Sequence, residues 1–381
     1  MDAMRAETHS RIAEMSAESD RFANVYRVLG DAVKNHAFPG CAFGVLAGSE
    51  VVLEDALGRF TYEEESPLVK PRTVFGVASI TKVVSTTAVA MLLYQRGLLD
   101  LDTPLGELLS GFVVGHPSAR LALQVTLRHL LAHNSGLPGY VEFFRTVSTP
   151  AELYRACLDL PIEATPGERS EYSDPGFILL GKALEVLTRE DLSTWARKQV
   201  FDPLDLAATS FNPASEQRHQ IPPTEIDNQF RHRRIQGEVQ DENAYILNGV
   251  AGHAGLFSNM PDLLRFAGEI LAGSQNSRAE SGSPLFTRDT VECFALRQGP
   301  EGSSRALGWD TPSKESSAGH HFSTNSIGHL GFSGCSLWID LDASIAAVLL
   351  TNRTWPDRQC QLIKQVRPAF HDAVRTALSG Q

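Results

Sequence analysis

Short apolar runs bounded by turn residues mark both ends of this chain, whereas its middle repeats apolar positions at helical spacing. Residues 41–47 (Cys-Ala-Phe-Gly-Val-Leu-Ala) and 50–57 (Glu-Val-Val-Leu-Glu-Asp-Ala-Leu) flank Gly48-Ser49, the pattern of two strands joined by a tight turn. Near the other end, Ser336 to Ile339 and Ser344 to Leu350 flank the acidic turn Asp340-Leu341-Asp342 and predict a second hairpin. Between them, Val83 to Arg96, Leu127 to Leu131, Ala151 to Asp159, Phe177 to Thr188 and residues 260–272 carry a helical period with Gly and Pro punctuation. Further helices are predicted over 20–36, ending before Phe38-Pro39-Gly40, and from about Asp357 to Leu378. Strands at both ends with helices between them predict a mixed α/β (α+β) fold. Residues 1–76 and 305–381 form its sheet region, and residues 77–304 form a mostly helical region. The functional site is expected in the cleft between the two.

Composition narrows the function classes. The chain has 381 residues, 42% of them hydrophobic and 21% charged, enough to bury a core without metals or disulfides. A formal net charge of −11 argues against nucleic acid or an anionic membrane as the main partner. The one basic run, Arg231-His232-Arg233-Arg234, is short and flanked by acids, and reads as a solvated loop. Five cysteines without a C-x-x-C pair exclude a disulfide framework or thiolate zinc site, and Cys41 and Cys335 read as buried inert thiols. The polar stretch at 273–284 reads as a surface loop. Met1 to Glu7 lead into polar sequence without an apolar signal region, and no stretch reaches the ~20 apolar residues of a membrane span. No secretory signal, no membrane span and a cytoplasmic location are therefore expected.

Three segments carry candidate chemistry. In Ser79-Ile80-Thr81-Lys82, the apolar helical run that follows places Ser79 at a helix start, where free N–H groups favour developing negative charge. Residues three apart share a helix face, so the Lys82 amine reaches the Ser79 hydroxyl and, desolvated, accepts its proton. Tyr172-Ser173-Asp174 precedes a helix starting near Pro175, and a tyrosine at such a junction is placed to shuttle a proton over a cleft. In His329-Leu330-Gly331-Phe332-Ser333-Gly334, glycines beside a strand admit substrate close to the backbone, and the Phe332 N–H can join that of Ser79 as an oxyanion hole. Taken singly, each segment has a plainer reading: an N-cap serine with a surface lysine, a rim tyrosine, a Gly-rich turn. His253 in its Gly-rich loop reads as a hydrogen-bonded loop histidine, with an auxiliary proton donor as the alternative. His320-His321 lacks a third ligand at suitable spacing, so no metal site is expected.

Together, the order and spacing of Ser-x-x-Lys, Tyr-x-Asp about 90 residues later and His-x-Gly on a late strand resemble the serine penicillin-recognising superfamily of class C β-lactamases, D,D-peptidases and related esterases. Phe75 to Ala78, Leu127 to Pro138, Ala251 to Ser258 and Gly328 to Arg353 strengthen the resemblance, which covers roughly residues 25–375. It implies a β-lactamase/transpeptidase-like fold with a central antiparallel sheet flanked by helices, beside a mostly helical region. It also implies nucleophile Ser79, base Lys82, proton relay Tyr172, a backbone oxyanion hole at Ser79 and Phe332, and an acyl-enzyme resolved by water. No cofactor or metal is implied, and the partner is a small-molecule ester or amide substrate.

The departures bear on substrate contacts expected at Asp174, His329, Leu330 and Gly331. Asp174 stands where the group usually has Asn, and a carboxylate there would favour Lys82 as ammonium and shift the burden to Tyr172. His329 and Leu330 replace the usual Lys and Thr, removing a permanent cation and a hydroxyl that would hold a substrate carboxylate. His329 is expected to be partly charged at neutral pH. An esterase-like acyl hydrolase with weak or absent β-lactam turnover follows. The alternatives are a β-lactamase or a D,D- or D-amino peptidase and, from another class, a non-catalytic sensor or scaffold. A Ser-His-Asp hydrolase fails on the missing G-x-S-x-G elbow.

Overall fold

The computed structural model describes residues 21–275 and 284–379. Its strands, in chain order, are β1 (Gly40–Ala47), β2 (Glu50–Gly58), β3 (Phe75–Gly76), β4 (Ser210–Phe211), β5 (Glu225–Asp227), β6 (Arg233–Ile235), β7 (Leu256–Ser258), β8 (Ser326–Leu330), β9 (Ser336–Asp340) and β10 (Ile345–Thr351). The main sheet has the order β2-β1-β10-β9-β8, antiparallel throughout. The two chain ends meet at its centre, where Cys41 lies opposite Thr351 and Ala47 opposite Ile345. Because β1 and β10 are covered on both faces, their alternate residues serve two cores. Phe43, Val45, Ala347 and Leu349 join Val25, Leu29, Phe370 and Val374 of helices Ala23–Lys34 and Ile363–Leu378. Ala42, Leu46, Val348 and Leu350 face the other way, into the core shared with helix Met260–Gln275 and the helical region. This is the mixed α/β architecture, with its central antiparallel sheet flanked by helices, that the sequence predicts.

Several local expectations are corrected. Val83 onward is not α-helical at once: Lys82–Thr87 forms a π-helical turn, and the α-helix runs only over Ala88–Gln95. Four β-branched residues (Val83, Val84, Thr86, Thr87) crowd that stretch and disfavour an α-turn. The terminal helix starts at Ile363, not near Asp357. The stretch before it is held by Arg358, which donates to Glu225 and Glu242. The β9–β10 turn lies one residue later than predicted, since Asp340 still pairs with Ile345. Its carboxylate accepts from the Ser323 hydroxyl and the Ala343 N–H. The basic run is solvated only in part: His232, Arg233 and Arg234 are exposed, whereas the Arg231 side chain is 4% exposed and donates to Asp227 at 2.9 Å and to the carbonyls of Val239 and Gln240. Arg233 and Arg234 lie on β6, Arg233 paired with Glu238 and Arg234 over the Trp355 ring. Of the predicted polar loop, Gly273–Gln275 end a helix. Residues 276–283, like Met1 to Glu7, lie outside the described residues. Cys41 and Cys335 are buried and unpaired, and burial raises both thiols. Among the described residues no helix is long and apolar enough to cross a membrane.

Candidate active site

Ser79 sits on a turn clamped from two sides. β3 pairs with β7, and the Val77 N–H continues that ladder to the Leu256 carbonyl at 3.0 Å. The next residue, Ala78, has φ of +48°, a left-handed conformation that costs a non-glycine residue energy and persists only where its surroundings enforce it. Enforcement comes from Thr81, whose hydroxyl donates to the Ala78 carbonyl at 2.6 Å and accepts from the Leu256 N–H at 3.0 Å. On the other side, the Ser333 hydroxyl donates to the Gly76 carbonyl at 2.8 Å. Ser79 then lies in a short 3₁₀ turn, Ala78–Ile80, leading into the π-turn and helix. The expected helix start is present, with a different first turn.

Lys82 points from that turn into the protein, and its side chain is 0% exposed. Its amine donates to Ser79 Oγ at 3.1 Å, to Asp174 Oδ1 at 2.7 Å and to the His253 carbonyl at 3.1 Å. An ammonium has three donors, and all three are satisfied. Burial pushes the Lys82 pKa down, but the neighbouring Asp174, with its hydrogen bond, and Tyr172 outweigh it, leaving the pKa above its ordinary value. Lys82 therefore rests as ammonium.

Tyr172 and Asp174 reach this amine because their segment is pinned to residues 133–139. Glu171 N–H donates to the His133 carbonyl, Ser173 N–H to His133 Nδ1, and Asp174 N–H to the Gly139 carbonyl. Ser173 Oγ accepts from the Gly176 N–H at 3.0 Å and so caps helix Asp174–Thr188, with Pro175 in its first turn. The Tyr172 ring lies 4.7 Å from Lys82 Nζ and 4.5 Å from the His133 ring. Burial raises its pKa above the ordinary phenol value, against the opposing charge of Lys82. Tyr172 rests as the neutral phenol.

The third segment closes the site. His329 and Leu330 end β8, and the Gly331–Cys335 turn folds back through Gly331 N–H to the Cys335 carbonyl at 2.7 Å. A side chain at Gly331 would collide with the Val77 carbonyl, so only glycine lets this turn lie against the Ser79 turn. Among the described residues, the N–H groups of Ser79 and Phe332 donate to no protein acceptor, and both residues line one cleft of about 740 Å³. Asp174, Leu330 and Gly331 line it as well.

His329 is neutral rather than partly charged: burial first, then the charges of Lys82 and Arg305, hold its pKa well below the ordinary value. Its Nδ1 bonds the Leu330 carbonyl at 2.9 Å. The His253 ring contacts Asp241 at 2.9 Å and does not line the cleft, which fits the plainer reading of that histidine. Its carbonyl, not its ring, touches Lys82. His320 pairs with Asp372, and no group of three or more metal-binding side chains occurs among the described residues.

Sequence reasoning missed Arg305 and the cleft-lining arginines Arg353, Arg358 and Arg367. Arg305 lies 5.2 Å from the Tyr172 ring centroid, and among the described residues the one acidic partner of its guanidinium is Asp310 at 3.8 Å. Nothing local marks it, because the turn that presents it is far from all three motifs in sequence.

With this geometry in hand, comparison with known proteins is specific. The Beta-lactamase family model matches residues 25–367. The N-acetylmuramyl-L-alanine amidase of Bacillus subtilis (strain 168) is 31% identical over 348 residues, covering 83% of this chain and 77% of the relative. Among solved structures, the hydrolase EstCE1, which has promiscuous acyltransferase activity, superposes with a TM-score of 0.70 at 21% identity, covering 93% of this chain and 99% of that one. A penicillin-binding protein homologue from Caulobacter crescentus gives 0.74 at 17%, covering 94% and 98%. The chain belongs to the beta-lactamase family, in the serine β-lactamase and penicillin-binding protein superfamily.

Proposed function

We propose that this protein is a serine acyl hydrolase that works through an acyl-enzyme at Ser79, with an esterase-like preference. The observation that carries the reading is the Ser79–Lys82–Asp174 chain of hydrogen bonds, 3.1 and 2.7 Å long, in the wall of a cleft with two unpaired N–H groups. As Ser79 Oγ attacks a substrate carbonyl, its proton passes to Lys82 Nζ while a Lys82 proton passes to Asp174, so the site's net charge is unchanged and the negative charge moves from Asp174 to the substrate oxygen. The N–H groups of Ser79 and Phe332 hold the carbonyl oxygen as it becomes an oxyanion. Tyr172, beside both Ser79 and Lys82, gives its phenol proton to the leaving group and recovers one through Lys82. Water then repeats the cycle on the acyl-enzyme. A scaffold would have no use for a fully buried amine aimed at a serine.

Neutral His329 and apolar Leu330 suit an uncharged acyl or ester group. A second reading, hydrolysis of an amide or peptide that carries a carboxylate, is favoured by Arg305, whose guanidinium faces the cleft beside Tyr172 without a close acceptor. The amidase relative agrees with that reading. The deciding experiment follows turnover of p-nitrophenyl butyrate, nitrocefin and a peptide ending in D-Ala-D-Ala by the native protein and by Ser79→Ala. The proposal expects ester turnover that Ser79→Ala abolishes. Faster release of D-Ala would favour the second reading, and nitrocefin hydrolysis exceeding ester hydrolysis would overturn the esterase preference.

A further inference from the structure

Arg367 is a buried cation without a carboxylate partner among the described residues. It is only 7% exposed, and burial lowers its pKa to about 10. Such a charge is costly unless its donors are satisfied. Here they go to main-chain carbonyls of one turn: Nη2 donates to Gly331 O at 2.6 Å and to Cys335 O at 2.9 Å, and Nε donates to Gly334 O at 3.2 Å. Arg353 Nε donates to Phe332 O at 2.8 Å, and its guanidinium lies 4.5 Å from the Phe332 ring centroid; Ser333 O accepts instead from the Arg353 N–H and the Thr351 hydroxyl. Arg358 lies 5.5 Å from the same centroid. Four of the turn's five carbonyls thus accept from an arginine guanidinium, while the Phe332 N–H donates to no protein acceptor among the described residues.

The 2.6 Å bond has a particular consequence, because Gly331 C=O and Phe332 N–H are the two ends of one conjugated peptide group. A cation on that oxygen draws electron density from the nitrogen and makes its N–H a stronger donor, as in any polarised hydrogen-bond chain. We propose that Arg367 is a positioning residue that polarises the oxyanion hole through the Gly331–Phe332 peptide. The proposal rests on the reading of Ser79 and Phe332 given above, and it gives a role to a cation buried in the wall of the cleft and bonded there only to carbonyls among the described residues.

The test measures kcat and KM for p-nitrophenyl butyrate, and inhibition by n-butylboronic acid, in the native protein, Arg367→Lys and Arg367→Met, with thermal melting as a fold control. The tetrahedral boronate places an oxygen in the hole, so it reads the hole directly. In Arg367→Met, kcat and boronate affinity should fall together by about 10-fold, a fraction of the 10²–10³ seen when an oxyanion donor is removed, with KM little changed. Arg367→Lys, which keeps the cation, should recover most of both; if the Met variant does not fold, Arg367→Gln, which also removes the cation, carries the test with the same expected loss. A rise in KM with kcat retained would mean that Arg367 contacts substrate, and would overturn the proposal. So would native kcat and boronate affinity in a folded Arg367→Met. If the native protein does not turn over the ester, or Ser79→Ala retains turnover, the acyl-enzyme reading has failed first and takes this inference with it.

Discussion

At the scale of single residues, the feature that sets this site apart is Asp174 on Lys82. Its carboxylate keeps a fully buried amine protonated, as the raised Lys82 pKa indicates, so Lys82 alone is a poor base at neutral pH. In the proposed mechanism the pair works as a unit, Lys82 handing a proton to Asp174 while taking one from Ser79. Asp174→Asn removes the acceptor and the counter-charge together. Burial then dominates and the Lys82 pKa falls, leaving the amine as sole base. The account expects kcat/KM in Asp174→Asn to drop about 10²-fold at pH 7 and to recover as pH rises and Lys82 loses its proton. A loss equal at every pH would mean that Asp174 only positions Lys82.

At the scale of elements, the site depends on two turns lying against each other: Ala78–Ile80 before the Lys82 helix and Gly331–Cys335 after β8. Gly331→Ala would press a methyl group into the Val77 carbonyl and swing the Phe332 N–H away. A fall in kcat of about 10²-fold or more is expected, as for a lost oxyanion donor, with unchanged far-UV circular dichroism. Native kcat would show that this contact does not set the hole. These elements also show what was legible in the sequence. Both hairpins, the helix at Pro175 and the residues Ser79, Lys82 and Tyr172 could be read because turn residues, apolar period and local spacing are short-range signals. The His253 carbonyl on Lys82 could not, since any residue type offers one. Arg305, Arg353 and Arg367 were equally hidden, because their roles depend on carbonyls and rings that only the tertiary fold brings near. The turns before Ile363 read as helix in the sequence for the same reason: Arg358 is held there by Glu225 and Glu242, more than a hundred residues away.

At the scale of the whole molecule, the sheet closes by pairing the first strand with the last, and helix Ile363–Leu378 covers that seam. His371 of this helix is buried, contacts Ser336 Oγ at 3.0 Å, and is held neutral, its pKa lowered by burial to about 3. The unfolded chain takes up a proton on the same group near 6.5. Stability present above pH 6.5 is therefore lost as pH falls from there toward 3, by up to about 1.4 kcal/mol per pH unit for each such histidine. His133 and His329, also held low by burial, add in the same direction. Denaturant unfolding between pH 7 and 4 should show this loss, and His371→Gln should make it shallower; an unchanged slope would contradict the assignment. The central claim, that this fold turns Ser79 into an acyl-accepting nucleophile, is tested most directly by weighing the protein after an acid quench of its reaction with p-nitrophenyl butyrate. The account predicts one added butyryl group in the native protein, mapped to the peptide containing Ser79 and absent from Ser79→Ala. An unmodified native protein that nevertheless turns over the ester, or an adduct elsewhere that survives in Ser79→Ala, would contradict it.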